Sequence, residues 1–105
     1  MDGSNCQRFG YGVLGLFHLR VPPLRSLELW AEQQACATVV RPQALDLVLY
    51  SPTGGAFGAH VGVWLGEDLV LHLCAEVGQP TLWGNGEFAM RTRYAHRVGF
   101  KRVHN

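Results

Sequence analysis

Two histidines interrupt an otherwise aliphatic run, "GAHVGVWLGEDLVLHLC" (58–74), where a plain core hairpin would carry Val or Ile. Imidazole can take up and return a proton near neutral pH, so paired histidines suggest proton transfer. Successive side chains of an extended strand alternate faces. His60, Gly62 and Trp64 therefore share one face, and Val61, Val63 and Leu65 the other. In the returning strand Val70, His72 and Cys74 share a face, and Leu69, Leu71 and Leu73 the other. A three-residue turn at Gly66-Glu67-Asp68 pairs Leu65 with Leu69 and puts both imidazoles on one face. A two-residue turn would split the aliphatic set between the faces, which a half-buried sheet resists. His60 then lies opposite Cys74, and His72 opposite Gly62, whose missing side chain leaves room for a ring. The two imidazoles become diagonal neighbours, roughly 7–8 Å apart between Cα atoms, close enough to hydrogen-bond.

Neighbouring imidazoles supply a base and its orienter, which leaves a nucleophile to find. Cys6 is the candidate, because Ser4 or Asn5 can cap a helix starting near it. A thiol at a helix start meets the positive end of the helix dipole and spare backbone N–H groups, which favour thiolate. The same donors suit a developing oxyanion. The expected roles are Cys6 as nucleophile, His60 as base and then acid, and His72 as the residue that fixes the His60 tautomer.

The elements that must position these residues follow from periodicity. Phe9, Val13, Leu16 and Phe17 predict an apolar stripe on the first helix, in which Gly10, Gly12 and Gly15 suggest a close neighbour. "VPPLRS" stops that helix, and Ser26 caps a second one running to about Gln34. Strand signals dominate thereafter: an edge at "ATVV", a central strand at "LDLVLY", the hairpin, "PTLW" and "VGFKRV", with helical turns in "EFAMRTRYAH". Helices first and a meander of strands after them predict an α+β fold with an antiparallel sheet.

The order of "NC" at a helix start, then "DLVLY", "HVGVWLG" and "VLH", resembles the NlpC-type cysteine peptidases, a compact papain-like group. The resemblance spans roughly residues 5 to 74. It implies N-terminal helices packed on an antiparallel sheet, with Cys6, His60 and His72 as a catalytic triad. It also implies amide hydrolysis through a thioester acyl-enzyme, with a cell-wall (peptidoglycan-derived) peptide as the first substrate to consider. The chain departs from the family's Asp-Cys-Ser-Gly pattern, carrying Asn5-Cys6-Gln7-Arg8 instead. Two other classes remain open: a non-catalytic binding module on the same fold, and an acyltransferase acting on a lipid or small amine.

Composition bounds these readings. A chain of 105 residues, of which 16% are charged, reads as one globular domain, 1–105. Formal net charge is +1, and the cluster Arg91, Arg93, Arg97, Lys101, Arg102 reads as a solvated face, not a nucleic-acid patch. No apolar run reaches the roughly 18 residues a membrane helix needs. The first ten residues have no signal-peptide pattern, and three cysteines fit no disulfide framework, so a cytoplasmic, reducing setting is expected. Ligand spacing for zinc is lacking, so neither metal nor cofactor is expected. Asp46 is expected to support a turn, and Trp30, Trp64 and Trp83 to pack.

Overall fold

The computed structural model of the protein describes residues 3–74 and 77–104. Helix α1 spans Gly3–Gly15. The expected caps, Ser4 and Asn5, fall inside it, and their side chains lie outside the described residues. Its buried stripe is Cys6, Gly10 and Leu14, one residue per turn, joined by Gln7. The predicted stripe is thus rotated: Phe9 and Val13 are half-buried, and Leu16 and Phe17 are exposed just past the helix end. Gly10 explains the rotation. Its bare backbone rests on Leu47, Val61 and Val63, to which a Cβ there would lie at 3.6–3.8 Å. At Gly12 and Gly15, by contrast, a Cβ would meet nothing within 4 Å among the described residues outside the helix's own backbone.

Helix α2 covers Ser26–Ala31, shorter than predicted. The Glu32 carboxylate accepts the backbone N–H groups of Gln34 and Ala35 and turns the chain out of the helix. Six strands follow: β1 Cys36–Val39, β2 Leu47–Ser51, β3 His60–Gly66, β4 Leu69–Cys74, β5 Gln79–Trp83 and β6 His96–Val103. Between the last two, α3 (Asn85–Ala89) and a 3₁₀ turn (Thr92–Tyr94) form a strap. The fold is α+β with one antiparallel sheet in the order β1-β6-β2-β3-β4-β5. A meander accounts for β2 to β5 only, because the last strand inserts between β1 and β2.

Each face of the sheet has its own core. Helix α1 lies on Leu47, Leu49, Val61 and Val63, with Leu14, Leu29 and Cys36. The strap lies on Val48, Tyr50, Val70 and Cys74, bringing Phe88 and Tyr94. Strand β2 is buried throughout, as its unbroken apolar run requires. The basic cluster is not a uniform solvated face. Lys101 is fully buried, and its Nζ donates to the carbonyls of Trp30 and Glu32 at the end of α2. A cation suits the negative end of a helix. Arg102 makes a two-point contact with buried Asp46, both N···O distances 2.9 Å, and Asp46 also accepts the Gln43 N–H, the turn support expected of it.

The β3–β4 hairpin departs from expectation at its turn and agrees near the histidines. Glu67 and Asp68 alone make the turn, both at positive φ (52° and 62°), and Gly66 pairs with Leu69. Leu65 is bulged out, and beyond it Trp64 faces Val70 and Val63 faces Leu71. The bulge absorbs the one-residue slip that a two-residue turn would impose. Leu65 and Leu69, expected on the aliphatic face, are partly exposed as a result. Further along, a Cβ on Gly62 would stand 2.5 Å from Val70 Cγ1 and 3.3 Å from His72 Cβ. Gly62→Ala therefore overpacks the hairpin, and should lower stability by about 1–3 kcal/mol in urea denaturation.

Candidate active site

His60 and His72 face each other from adjacent strands. His60 Nε2 lies 2.8 Å from His72 Nδ1, and the two rings meet nearly perpendicular at 86°. Both are buried, on the strap side of the sheet. Tyr94 lies 4.6 Å from the His60 ring, and Trp83 and Phe88 lie 4.5 and 4.8 Å from the His72 ring. Tyr50, opposite His60 in the β2–β3 ladder, stacks flat on Phe88 at 4.0 Å. The pair thus sits in an aromatic box closed by the strap. Two guanidiniums rim it: Arg91 lies 3.9 Å over Trp83, and Arg93 lies 5.9 Å over Tyr94.

Cys6 approaches from the other core. Trp64 N–H points to Asp46 O, so the amides of Val63 and Val61 point toward β4. Among the described residues the β3–β4 ladder ends at Val63–Leu71. The next amide on that side, Val61 N–H, is given to Cys6 Sγ at 3.5 Å. The thiol therefore takes a ladder position that Leu73 would fill in a continuous sheet, one residue along from His60. It is the fourth residue of α1, not the first, so it lies within the first turn, where the helix dipole is still felt. Cys6 itself is only 2% exposed. Cys36 and Cys74 are also buried free thiols.

Burial is the main force on both rings. Desolvation, aided by the neighbouring imidazole and by Arg93, pulls the His60 pKa down to about 3. Desolvation, aided by Arg91, pulls His72 down to about 4. Both rings are neutral at pH 7, so one nitrogen of the shared bond donates and the other accepts. For His60 to receive a proton at Nδ1, its own proton must sit on Nε2 and be donated to His72 Nδ1. His72 then carries its proton on Nε2, a buried atom with no hydrogen-bond partner among the described residues. Its ring lies among the aromatic rings of Trp83 and Phe88. An N–H tolerates ring faces better than a lone pair does, which favours this tautomer. Among the described residues Tyr50 Oη likewise makes no hydrogen bond of good geometry, although Arg97 lies near it. Burial raises its pKa, and Arg97 opposes that only in part.

Of the three residues expected at the site, the structure joins His60 to His72 directly and brings Cys6 to the backbone beside His60. Phe88 and Tyr94 were not anticipated. Their only trace in the sequence is a pair of aromatics spaced across two helical turns. Among the described residues, no group of three or more His, Cys, Asp or Glu side chains is placed to hold a metal ion, and no helix is long and apolar enough to cross a membrane. No known family model matches the chain, and no curated protein matches it.

The pH dependence of stability follows from the ring pair. Between about pH 6.5 and 4 the unfolded chain binds protons that the folded rings refuse. This contribution is whole above pH 6.5 and drains as pH falls toward 4. His72→Gln should decline less steeply over that interval when unfolding is followed in urea from pH 8 to 4. Parallel curves for the two proteins would exclude the rings as the source.

Proposed function

We propose that the protein is a thiol-dependent amide hydrolase of the NlpC-type papain-like kind. The observation carrying this reading is the seating of Cys6 Sγ at the Val61 amide, next to a His60 whose far nitrogen is engaged by His72. The α1-on-sheet arrangement and the strand bearing His60 at its first residue support it.

In this mechanism the Cys6 thiol passes its proton to His60 Nδ1, and the thiolate attacks the amide carbon. The carbonyl π pair moves to oxygen, giving a tetrahedral oxyanion beside the start of α1. His60 then protonates the leaving nitrogen as the C–N bond breaks, leaving a thioester on Cys6. Water attacks the thioester carbon while His60 takes its proton. The C–S bond then breaks, and the proton returns to sulfur. Burial makes neutral His60 a weak base, but the charge it gains is created beside a thiolate or an oxyanion. The Tyr94 ring, 4.6 Å from that of His60, offsets part of the cost of a transient positive charge in a pocket that otherwise disfavours it. His72 holds the tautomer throughout. A peptide amide of the cell-wall type is the first substrate in this reading.

A second reading has its own observation. A thiol only 2% exposed and a wholly buried His72 also suit internal packing in a binding module. Alkylation separates the two. Cys6 should react with iodoacetamide at pH 7 faster than free cysteine does, as located by peptide mapping, and Cys6→Ala should fold and lose that label. His60→Ala should slow labelling and any turnover by about 10²-fold or more, the usual weight of a general base. His72→Gln should cost less, because an amide can still orient the ring. Labelling of Cys6 no faster than free cysteine would favour the binding module.

A further inference from the structure

The core does not use up the apolar stripe of α1. The helix meets the sheet along Cys6, Gly10 and Leu14, with Gly10 on Leu47, Val61 and Val63. At about 3.6 residues per turn, Tyr11 falls on one flank of that line, and Phe9, Val13 and Leu16 on the other. The Tyr11 flank is occupied. Its Oη donates to Leu24 O at 2.7 Å, and beyond it α2 lays Trp30 over Gly99 of β6. The other flank looks along the sheet toward β4 and the edge strand β5. There Leu71 faces Leu82, and Leu73 faces Pro80, on the α1 side of the sheet in line with Val63. Among the described residues, no helix covers this end of the face as α2 covers the other. Leu16 is 78% exposed, Phe17 57% and Leu82 54%, and Leu69 is exposed beside them.

A ridge and a seat thus lie side by side. The ridge is α1; the seat is the β4–β5 strip, two strands at about 4.8 Å spacing and so about as wide as a helix. Every copy of the chain owns one of each. We propose that this face binds a second copy of the chain, with α1 of each copy seated on the β4–β5 strip of the other about a two-fold axis. Such a contact closes on two copies and makes each interaction twice. Helix α1 runs from Cys6 beside Val61 to Gly10 beside Val63, so its far end points toward the Glu67-Asp68 turn. A two-fold axis across the helices sets them antiparallel, which opposes their dipoles. It also carries Arg8 of the second copy toward Glu67, an exposed charge of opposite sign. A helix of 13 residues is about 20 Å long and 10–12 Å wide, so one ridge and one seat give roughly 400–480 Å² of footprint per copy. Accessible area follows every side chain and exceeds footprint. The interface therefore reaches the low end of specific contacts, which bury roughly 800 Å² per partner. The proposal stands apart from any reaction at Cys6.

Sedimentation equilibrium of the full chain under reducing conditions, from about 1 µM to 1 mM, tests this. A monomer–dimer equilibrium with a Kd of roughly 1–100 µM is expected for an interface of this size. Leu16→Asp and Leu82→Asp each place a carboxylate in the contact at a site already exposed, so both should keep the native circular dichroism spectrum. Each should raise the Kd by about tenfold or more, since a buried unpaired charge is costly. Val40→Asp, at a site 90% exposed beyond β1 on the opposite edge of the sheet, should leave the Kd unchanged. Arg8→Glu and Glu67→Arg should each weaken the dimer by about twofold to fivefold, the weight of an exposed ion pair, and the double reversal should restore it. A chain that stays monomeric to 1 mM overturns the proposal. So does a series of larger oligomers in place of a dimer, or a dimer indifferent to both Leu→Asp changes. A dimer that the leucine changes break and the double charge reversal does not restore overturns the antiparallel seating.

Discussion

The site depends on strand parity. His60 and His72 meet because β3 and β4 are paired so that both rings leave the sheet on the same side, and an offset of one residue would put them on opposite faces. The turn threatens that parity. Glu67-Asp68 is a two-residue connection, and carried straight into the ladder it would set the wrong register. The bulge at Leu65 removes the error in one step, leaving Trp64–Val70 and Val63–Leu71 aligned for the rings beyond. Gly62 is the second half of the constraint, since any side chain there would occupy the space of Val70 and His72. Neither device touches the imidazoles chemically, yet without both the 2.8 Å contact cannot form.

Desolvation then decides what that contact can be. In water two imidazoles this close would titrate near neutrality, and one would often be charged. Inside the Phe88–Trp83–Tyr94 box the charged forms are expelled, and the hydrogen bond runs between two neutral rings. The cost, among the described residues, is a buried His72 nitrogen and a buried Tyr50 oxygen without a well-formed hydrogen bond. Each unmet buried polar atom disfavours the fold by about 1–3 kcal/mol. Packing alone would have placed aliphatic residues there. Polar atoms retained against that penalty fit a role for the rings beyond filling space, which is why the pair weighs more in the functional reading than burial alone would allow.

What was legible in the sequence follows the range of the interactions. The hairpin and the facing of its histidines are local and could be read from alternation alone. The buried β2 run and the position of every strand are visible for the same reason. The insertion of β6 between β1 and β2 is not, because it joins residues about sixty positions apart through backbone bonds that carry no side-chain signature. The stripe of α1 was misread because Gly10 sits at its centre: a residue without a side chain adds nothing to hydrophobic periodicity, yet allows the closest approach to the sheet. Lys101 looked like surface charge because the carbonyls that bury it, at Trp30 and Glu32, belong to a different element. The aromatic box was out of reach because it requires the path of the strap across the sheet.

The place of the thiol follows from the same sheet. Antiparallel strands that remain paired offer no room for a foreign atom between them. Where β3 and β4 stop exchanging bonds, Val61 N–H has to be satisfied by something else, since a buried amide without a partner is costly. Cys6 sulfur meets that need, weakly, at 3.5 Å. A weak acceptor at that position is easily released, and sulfur gains strength as an acceptor when it ionises. An amide donor fixed at this spot holds the sulfur one residue along from His60, where the β3–β4 ladder ends among the described residues.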